Sequence, residues 1–457
     1  MSSSTASIWL PQTSDTRTVR AGRLSPLLGE QFRRATSSST QRRRTHMTPG
    51  ISGPSPQAAS SAMPGRSSRS ISDVVRSLTL TTTAAVVGGV AWSGDFLTLP
   101  FALAFPLLWA RSPSRLGATM VSAGYFLAAS RGLPQGVANY YASDLWPGLM
   151  LWVFASLSFV GVHTALWTGR RGGGRSVRYL AAMAVMALPP FGILGWAHPT
   201  TMAGVLFPGW GWLGLGGTIA ALAMMASRWW PAVAIALGAF WLWSATTLSD
   251  PMPMNGWKGV DLEFGRGLGR DGSLEHHRDL IARARRHVDA GDDVIILPES
   301  ALGLWTPTIE RLWRAGLDGS NASVVAGATM VDAQGYDNVM VEISARYAKI
   351  LYRERMPVPV SMWQPWLAWI NQSGGSRAHF FANPVVKLEG RTVAILICYE
   401  QLILWPILQS MLYSPELVVA PGNGWWTVGT SIVAIQSANA MSWARLFGVP
   451  LVTAFNR

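Results

Sequence analysis

Hydrophobic and polar positions divide the chain into three regimes. Residues 1 to about 70 show no periodicity; Ser, Thr and Arg dominate, with Asp15 and Glu30 the only acids. Such a segment has too little apolar surface to fold alone, so the sequence predicts a disordered basic Ser/Arg-rich tail over 1–70. From about 75 to 248 the chain is a series of apolar stretches, near 75–93, 96–110, 115–130, 146–168, 179–197, 201–226 and 230–247. They predict a transmembrane helical domain of seven spans, although several fall short of the ~20 residues a helix needs to cross a bilayer. From about 258 to 457 the pattern is that of a soluble domain, with helical periodicity alternating with short aliphatic runs.

Within that last region, "LEHHRDLIARARRHVDAG" (274–291) has helical spacing and a terminating glycine. "DVIILPES" (293–300), "ASVVAGATM" (322–330), "TVAILICYE" (392–400) and "ELVVAPGNG" (416–424) read as buried strands running into polar tips. "NVMVEIS" (338–344) alternates like a half-exposed strand, "SIVAIQSANAMSWARLFG" (431–448) reads as a helix, and "VPLVTAF" (449–455) as a last strand. Strands between helices imply an α/β layered core. In such sheets functional residues collect beyond the carboxyl ends of strands, where Glu299, Cys398 and Asn423 stand.

Composition sharpens the membrane reading. Charged residues are 13% of the chain and hydrophobic residues 49%, with 23 Trp, against the ~25% charge of an average soluble domain. The net charge of +13 does not indicate a nucleic-acid partner, because the arginines lie in the tail and between apolar segments. Arg111 and Arg115, then Arg170, Arg171, Arg175 and Arg178, then Arg228 occupy alternate loops, whereas the loops at Asp95, Asp144 and His198 are not basic. The positive-inside tendency makes the basic loops cytoplasmic. An odd number of spans then leaves 258–457 outside, and a re-entrant hairpin in place of two spans preserves that orientation. The expected location is a bacterial inner membrane, multi-pass, with a periplasmic C-terminal domain. The tail alternatively marks a start codon placed too early, with Met47 or Met63 as the true start.

One cysteine cannot form an intrachain disulfide, so Cys398 is either a small buried hydrophobe or a reactive thiol. Glu299 read alone is a capping or surface carboxylate; read with Cys398 at a second strand end, it is a candidate base. The Gly-rich stretches "LGLGG", "RGGGR" and "GRGLGR" lack the spacing and context of a nucleotide fingerprint. His276 and His277, adjacent on a basic helix, read as solvated rather than as ligands. No cofactor and no metal are expected.

"ILPES", "ILICYE" and "VAPGNGWW", in that order behind a membrane region, resemble the carbon–nitrogen hydrolase (nitrilase) superfamily. The whole is similar to the apolipoprotein N-acyltransferases, and within them to the shorter conjugal-transfer TraB branch. The resemblance implies an α-β-β-α sandwich over 258–457, with Cys398 as nucleophile and Glu299 as general base. It implies Glu400 and Tyr399 beside the nucleophile, and Asn423 and Trp426 at the acyl pocket. It also implies a membrane phospholipid as acyl donor and a lipoprotein or peptide amine as acceptor.

The chain departs from the family at one catalytic position. In "YRERMPVPVSM" (352–362) Glu354 occupies the place of the family lysine, and Met362 that of a later glutamate. The lysine stabilises an oxyanion and an ionised acid repels one, so Arg353 or Arg355, with Lys349 as a further option, is the expected substitute charge. The family's acyltransferases continue past "TAFN" with further strands, so the half-sheet here is expected to be incomplete or finished differently. Trp363, Trp366 and Trp369 repeat at i, i+3, as either an interfacial arm or a core-facing stripe. Three functional readings follow: an acyltransferase or amidase, a catalytically degenerate lipid- or partner-binding protein of a conjugation system, and a membrane-anchored amidase for soluble substrates. An acid left facing Cys398 favours the second.

Overall fold

The computed structural model describes residues 71–170, 172–247, 254–370 and 375–457. The tail of 1–70 with its alternative start sites, the Arg171 loop position and the junction 248–253 lie outside them. The described residues from 71 onward fall in one compact unit.

The first part is helical: α1 (Ile71–Ala91), α2 (Ala104–Arg111), α3 (Arg115–Ala129), α4 (Leu133–Tyr141), α5 (Leu145–Leu166), α6 (Gly173–Ala187), α7 (Ala203–Leu206), α8 (Gly211–Met225) and α9 (Trp230–Thr246). Helices thus stand at the apolar stretches, except that α4 falls between two of them and Phe96–Leu103 is a 3-10 helix, and two further stretches are interrupted. The stretch 179–197 is helical only to Ala187, because the following Leu188-Pro189-Pro190 disfavours α conformation before each proline. The stretch 201–226 breaks at Pro208-Gly209, where Gly209 has φ +77°. Among the described residues two helices, α1 and α5, are long and apolar enough to cross a membrane, with mean hydropathies of 1.4 and 1.8; the others are shorter.

The second part is built on two sheets. The first has the order β1 (Trp257–Gly259), β2 (Val294–Ile296), β3 (Ser323–Asp332), β4 (Gly335–Ile343), β5 (Ala348–Arg353), parallel through β3 and antiparallel after it. The second has the order β6 (Val386–Leu388), β7 (Arg391–Ile395), β8 (Leu417–Asn423), β9 (Leu451–Asn456), with β7, β8 and β9 parallel. Strand residues alternate between faces, and the core divides accordingly. Val294 and Ile296 of β2 meet Val393 and Ile395 of β7 and Val419 of β8 between the sheets. Ile295 and Leu297 pack outward on α10 (Leu274–Asp289) and α11 (Pro307–Gly316). Ala394 and Val418 pack outward on α12 (Leu404–Met411) and α13 (Ile432–Phe447). The layering is α-β-β-α. Both faces of β2 and β8 and of the end of β7 are covered, which is why these strands read as unbroken aliphatic runs.

Three expectations are corrected. β4 is buried along nearly its whole length rather than half exposed, because β3 and β5 flank it, Met340 faces the second sheet, and Val339, Val341 and Ile343 face α10 and α11. His276 and His277 are buried, not solvated: the His277 Nδ1 accepts a hydrogen bond from Trp313 Nε1 (3.3 Å), and His276 lies edge-on to Phe264. The tryptophans of 360–370 do not form a core stripe, since Pro365–Ile370 is a 3-10 turn without a buried residue and Trp369 is 84% exposed.

Candidate active site

The carboxyl ends of β2, β7 and β8 converge, and each delivers one group. The chain leaves β2 through Leu297-Pro298 and turns at Ser300, whose φ is +62°, leaving Glu299 buried. This turn crosses β3 at Gly327, where a Cβ would stand 2.6 Å from the Glu299 Cα, so only glycine fits. After β7, Cys398 itself adopts φ +43°, a left-handed conformation that a non-glycine residue holds only when its surroundings fix it. The Glu299 carboxyl and the Cys398 thiol lie close enough to shift each other's ionisation, and the peptide N–H of Asn423, at the end of β8, acts on both.

Around this pair the contacts are polar and enclosed. The Asn338 amide on β4 donates to Glu299 Oε1 (2.7 Å) and to Glu354 Oε2 (2.9 Å), so one NH2 group bridges two carboxyls. Glu354 follows β5 and is wholly buried; its peptide N–H donates to the Asn338 carbonyl (2.9 Å). The Gln436 amide of α13 donates to the Cys398 carbonyl (3.0 Å) and lies 3.7 Å from Sγ. Glu400 ties the nucleophile turn to the 352–356 segment. It accepts from the Ile397 N–H (2.8 Å), the Arg355 N–H (2.7 Å) and the Tyr352 hydroxyl (2.8 Å).

The two expected charge substitutes are committed elsewhere. The buried Arg355 donates from Nε to Tyr352 Oη (2.9 Å), from Nη1 to the Pro406 carbonyl and Gln409, and from Nη2 to the Ile395 carbonyl and Ser410. Arg353 pairs with Asp337, as do Arg377 (2.7 Å) and His379 (3.0 Å), on the wall of a surface cavity. Lys349 pairs with Glu342 (3.0 Å). The expectation of a guanidinium at the lysine position is revised accordingly: Arg355 has its donors filled by other acceptors, and Arg353 is drawn to Asp337. Tyr399 also points away, its hydroxyl donating to the Ile193 carbonyl of the helical region (2.8 Å). The Asn423 side chain accepts from Asn456 (2.7 Å), so its contribution at the site is its backbone amide. Trp426 packs on Gly136 of α4, while Trp425 stacks on Tyr140 (5.7 Å between centroids).

The helical region reaches the site through Tyr140, whose hydroxyl lies within electrostatic range of Glu299, Arg266 and Arg270. Sequence reasoning missed Tyr140, Asn338 and Gln436. The only available signal was polarity out of place: Asn338 opens an apolar strand, and Gln436 interrupts a run of small and aliphatic residues.

Burial pushes the Glu299 carboxyl above its ordinary range, hydrogen bonds from Cys398 and Asn338 opposing the shift. Glu354 is pushed further, by burial and then by the charges of Glu299 and Glu400. Burial, followed by Glu299 and Glu354, also raises the Cys398 thiol. Both carboxyls on this amide are thus shifted toward the protonated form, Glu354 the more strongly. Protonated in the folded state beyond the unfolded carboxyl range, Glu354 contributes stability that is fully present below that range and is lost as pH rises through its folded pKa. Glu354→Gln has no such titration. Its melting temperature relative to the unaltered protein is expected to increase between pH 5 and pH 9, which thermal unfolding at several pH values checks.

The carbon-nitrogen hydrolase family profile matches residues 127–445. The chain belongs to the carbon–nitrogen hydrolase family. It is 63% identical to the conjugal transfer protein TraB of Agrobacterium fabrum over 409 residues, covering 87% of this chain and 97% of that one. A probable conjugal transfer protein TraB of Sinorhizobium fredii is 61% identical over 377 residues, covering 82% and 97%. These relatives put the chain in the conjugal-transfer branch of the carbon–nitrogen hydrolases. An amidase of the nitrilase superfamily from Nesterenkonia AN1 is similar at 12% identity and a TM-score of 0.33, over 44% of this chain and 74% of that one.

Proposed function

We propose that this carbon–nitrogen hydrolase is a membrane-bound enzyme that forms an acyl thioester on Cys398 and passes the acyl group to an amine or to water, within a conjugal-transfer apparatus. The observation that carries this reading is a buried Cys398 and a buried Glu299 brought within electrostatic reach of each other at two strand ends, the carboxyl held by Asn338 and the thiol's turn by Gln436. Glu299 takes the thiol proton as sulfur attacks the carbonyl, then returns it to the leaving group. The donor in this reading is a membrane phospholipid, and the acceptor is the amine of a lipoprotein or peptide.

Exposed apolar surface supports the membrane half of the proposal. Trp146, Met150 and Phe154 on α5 and Ile235, Leu242 and Trp243 on α9 are exposed, a continuity that water-facing helices rarely show. The exposed Trp366, Trp369 and Ile370 form an arm suited to the lipid interface. In this reading seven spans place the domain of 258–457 in the periplasm, with the arginine-bearing loops inside.

A second reading is favoured by one observation: a buried acid, Glu354, occupies the lysine position and acts electrostatically on Cys398. By the charge criterion it points to a degenerate binding protein. Membranes containing the protein, incubated with a phospholipid bearing an alkyne-tagged acyl chain, separate the two. The enzyme reading expects label on the protein that hydroxylamine removes and that Cys398→Ala lacks. No label in the unaltered protein, with a lysine-containing acyltransferase labelled in parallel, would favour the binder.

A further inference from the structure

We infer that Glu354 is a catalytic hydrogen-bond donor: its neutral carboxyl group, in place of the family lysine, donates to the carbonyl oxygen of the bound substrate as negative charge develops there. The inference rests on the thioester reading above and names the group that reading lacks.

Geometry carries it. Glu354 is wholly buried, and only one of its oxygens is used: Oε2 accepts from Asn338, while Oε1 has no hydrogen-bond partner. A buried polar oxygen left unpaired is uncommon, because it forfeits its hydration without compensation. The same Asn338 amide holds Glu299 at 2.7 Å. The unpaired carboxyl oxygen therefore belongs to the group that shares an anchor with the base, within electrostatic reach of the nucleophile. The charged and titratable groups facing Glu354 are Glu299, Glu400, Cys398 and Tyr336; Arg355, the nearest buried cation, is held by Glu400 and Tyr352. With acids around it and no cation acting on it among the described residues, Glu354 keeps its proton, and a protonated carboxyl donates one hydrogen bond.

The step balances without an external reagent. The Cys398 thiol proton moves to the Glu299 carboxylate as sulfur bonds to the carbonyl carbon. The C=O π pair moves to oxygen, which accepts hydrogen bonds from the Glu354 O–H and the Asn423 N–H. Collapse re-forms C=O, breaks the bond to the leaving nitrogen or oxygen, and transfers the Glu299 proton to it. Glu354 keeps its own proton throughout. Two buried carboxyls in opposite protonation states thus divide the work of base and oxyanion donor.

The test is single-turnover acylation of the full-length protein in detergent by a p-nitrophenyl ester. This activated donor is used so that the natural one need not be known, and acyl-Cys398 is measured by mass spectrometry across pH. The unaltered protein should give a bell-shaped profile, with Glu299 on the acid limb and Glu354 on the alkaline limb. Glu354→Gln keeps a neutral N–H donor, so its rate should stay within ~10-fold and its alkaline limb should vanish. Glu354→Ala should lose ~10²–10³-fold, and Glu354→Lys should recover most of that loss. A folded Glu354→Ala as fast as the unaltered protein, or an alkaline limb that persists in Glu354→Gln, overturns the inference while leaving the thioester reading intact. An unaltered protein that never yields acyl-Cys398 overturns both.

Discussion

Replacing Glu299 with Gln is expected to slow thioester formation by ~10²–10⁴-fold, the usual contribution of a positioned general base, without slowing alkylation of Cys398 by iodoacetamide. The two reactions part because they ask different things of the same carboxyl. Acyl transfer needs a group that accepts the thiol proton during attack and returns it to the leaving group. Alkylation of a pre-formed thiolate needs only an ionised sulfur, and the charge of Glu299 is one of the causes that hold the thiol protonated. Removing that charge eases ionisation while abolishing proton return. Equal losses in both assays would mean that Glu299 shapes the turn rather than moving the proton.

Glu400→Ala is expected to destabilise the fold by about 3–5 kcal/mol, the range for removing one partner of a buried ion pair. Glu400 and Arg355 are both fully buried, their charged atoms 3.7 Å apart. The carboxylate also accepts from Tyr352 and from two peptide N–H groups, one before Cys398 and one after Glu354. Its loss leaves a cation without a counter-charge and several donors without an acceptor. Glu400→Gln keeps the shape and one acceptor oxygen, so it should lose less. Denaturant titration of both variants against the unaltered protein measures the difference; a loss under about 1 kcal/mol for Glu400→Ala would show that Arg355 is satisfied by its neutral acceptors alone.

How much of this was legible depended on what each residue's role required. Glu299 and Cys398 could be found because β2 and β7 are buried on both faces, so their aliphatic runs end abruptly where the chain meets the site. An α/β layered core followed from the same runs, and its α-β-β-α order from the family resemblance. Asn338 was invisible because its role depends on register: it pairs with Thr329 across β3 and meets Glu354 only through the bulged β4–β5 pairing. Gln436 and Tyr140 depend on helices closing over the sheet from distant parts of the chain, which no local pattern encodes. β5 escaped notice because its last residues belong to the altered "YRERM" motif, whose charges read as surface. Most instructive is Glu354. Its residue type suggested an anion facing the nucleophile, whereas its enclosure pushes the carboxyl well above its ordinary range, and enclosure is a property of the fold.

α13 serves two masters. Near its start Gln436 grips Cys398; near its end Ser442 donates to the Thr201 carbonyl, and the Arg445 carbonyl accepts from the Gly209 N–H (2.7 Å). Asn139 of α4 likewise clasps the carbonyls of Trp426 (3.0 Å) and Val428 (2.9 Å). The outer helical layer of the sandwich is thus also an inner wall of the apolar helices, as a party wall belongs to both houses. Severing the chain ahead of Trp257 would strip Tyr140 from the site and bare the flank that steadies the sulfur. Chemistry and anchorage here are one piece of masonry, and neither half can be lifted out whole.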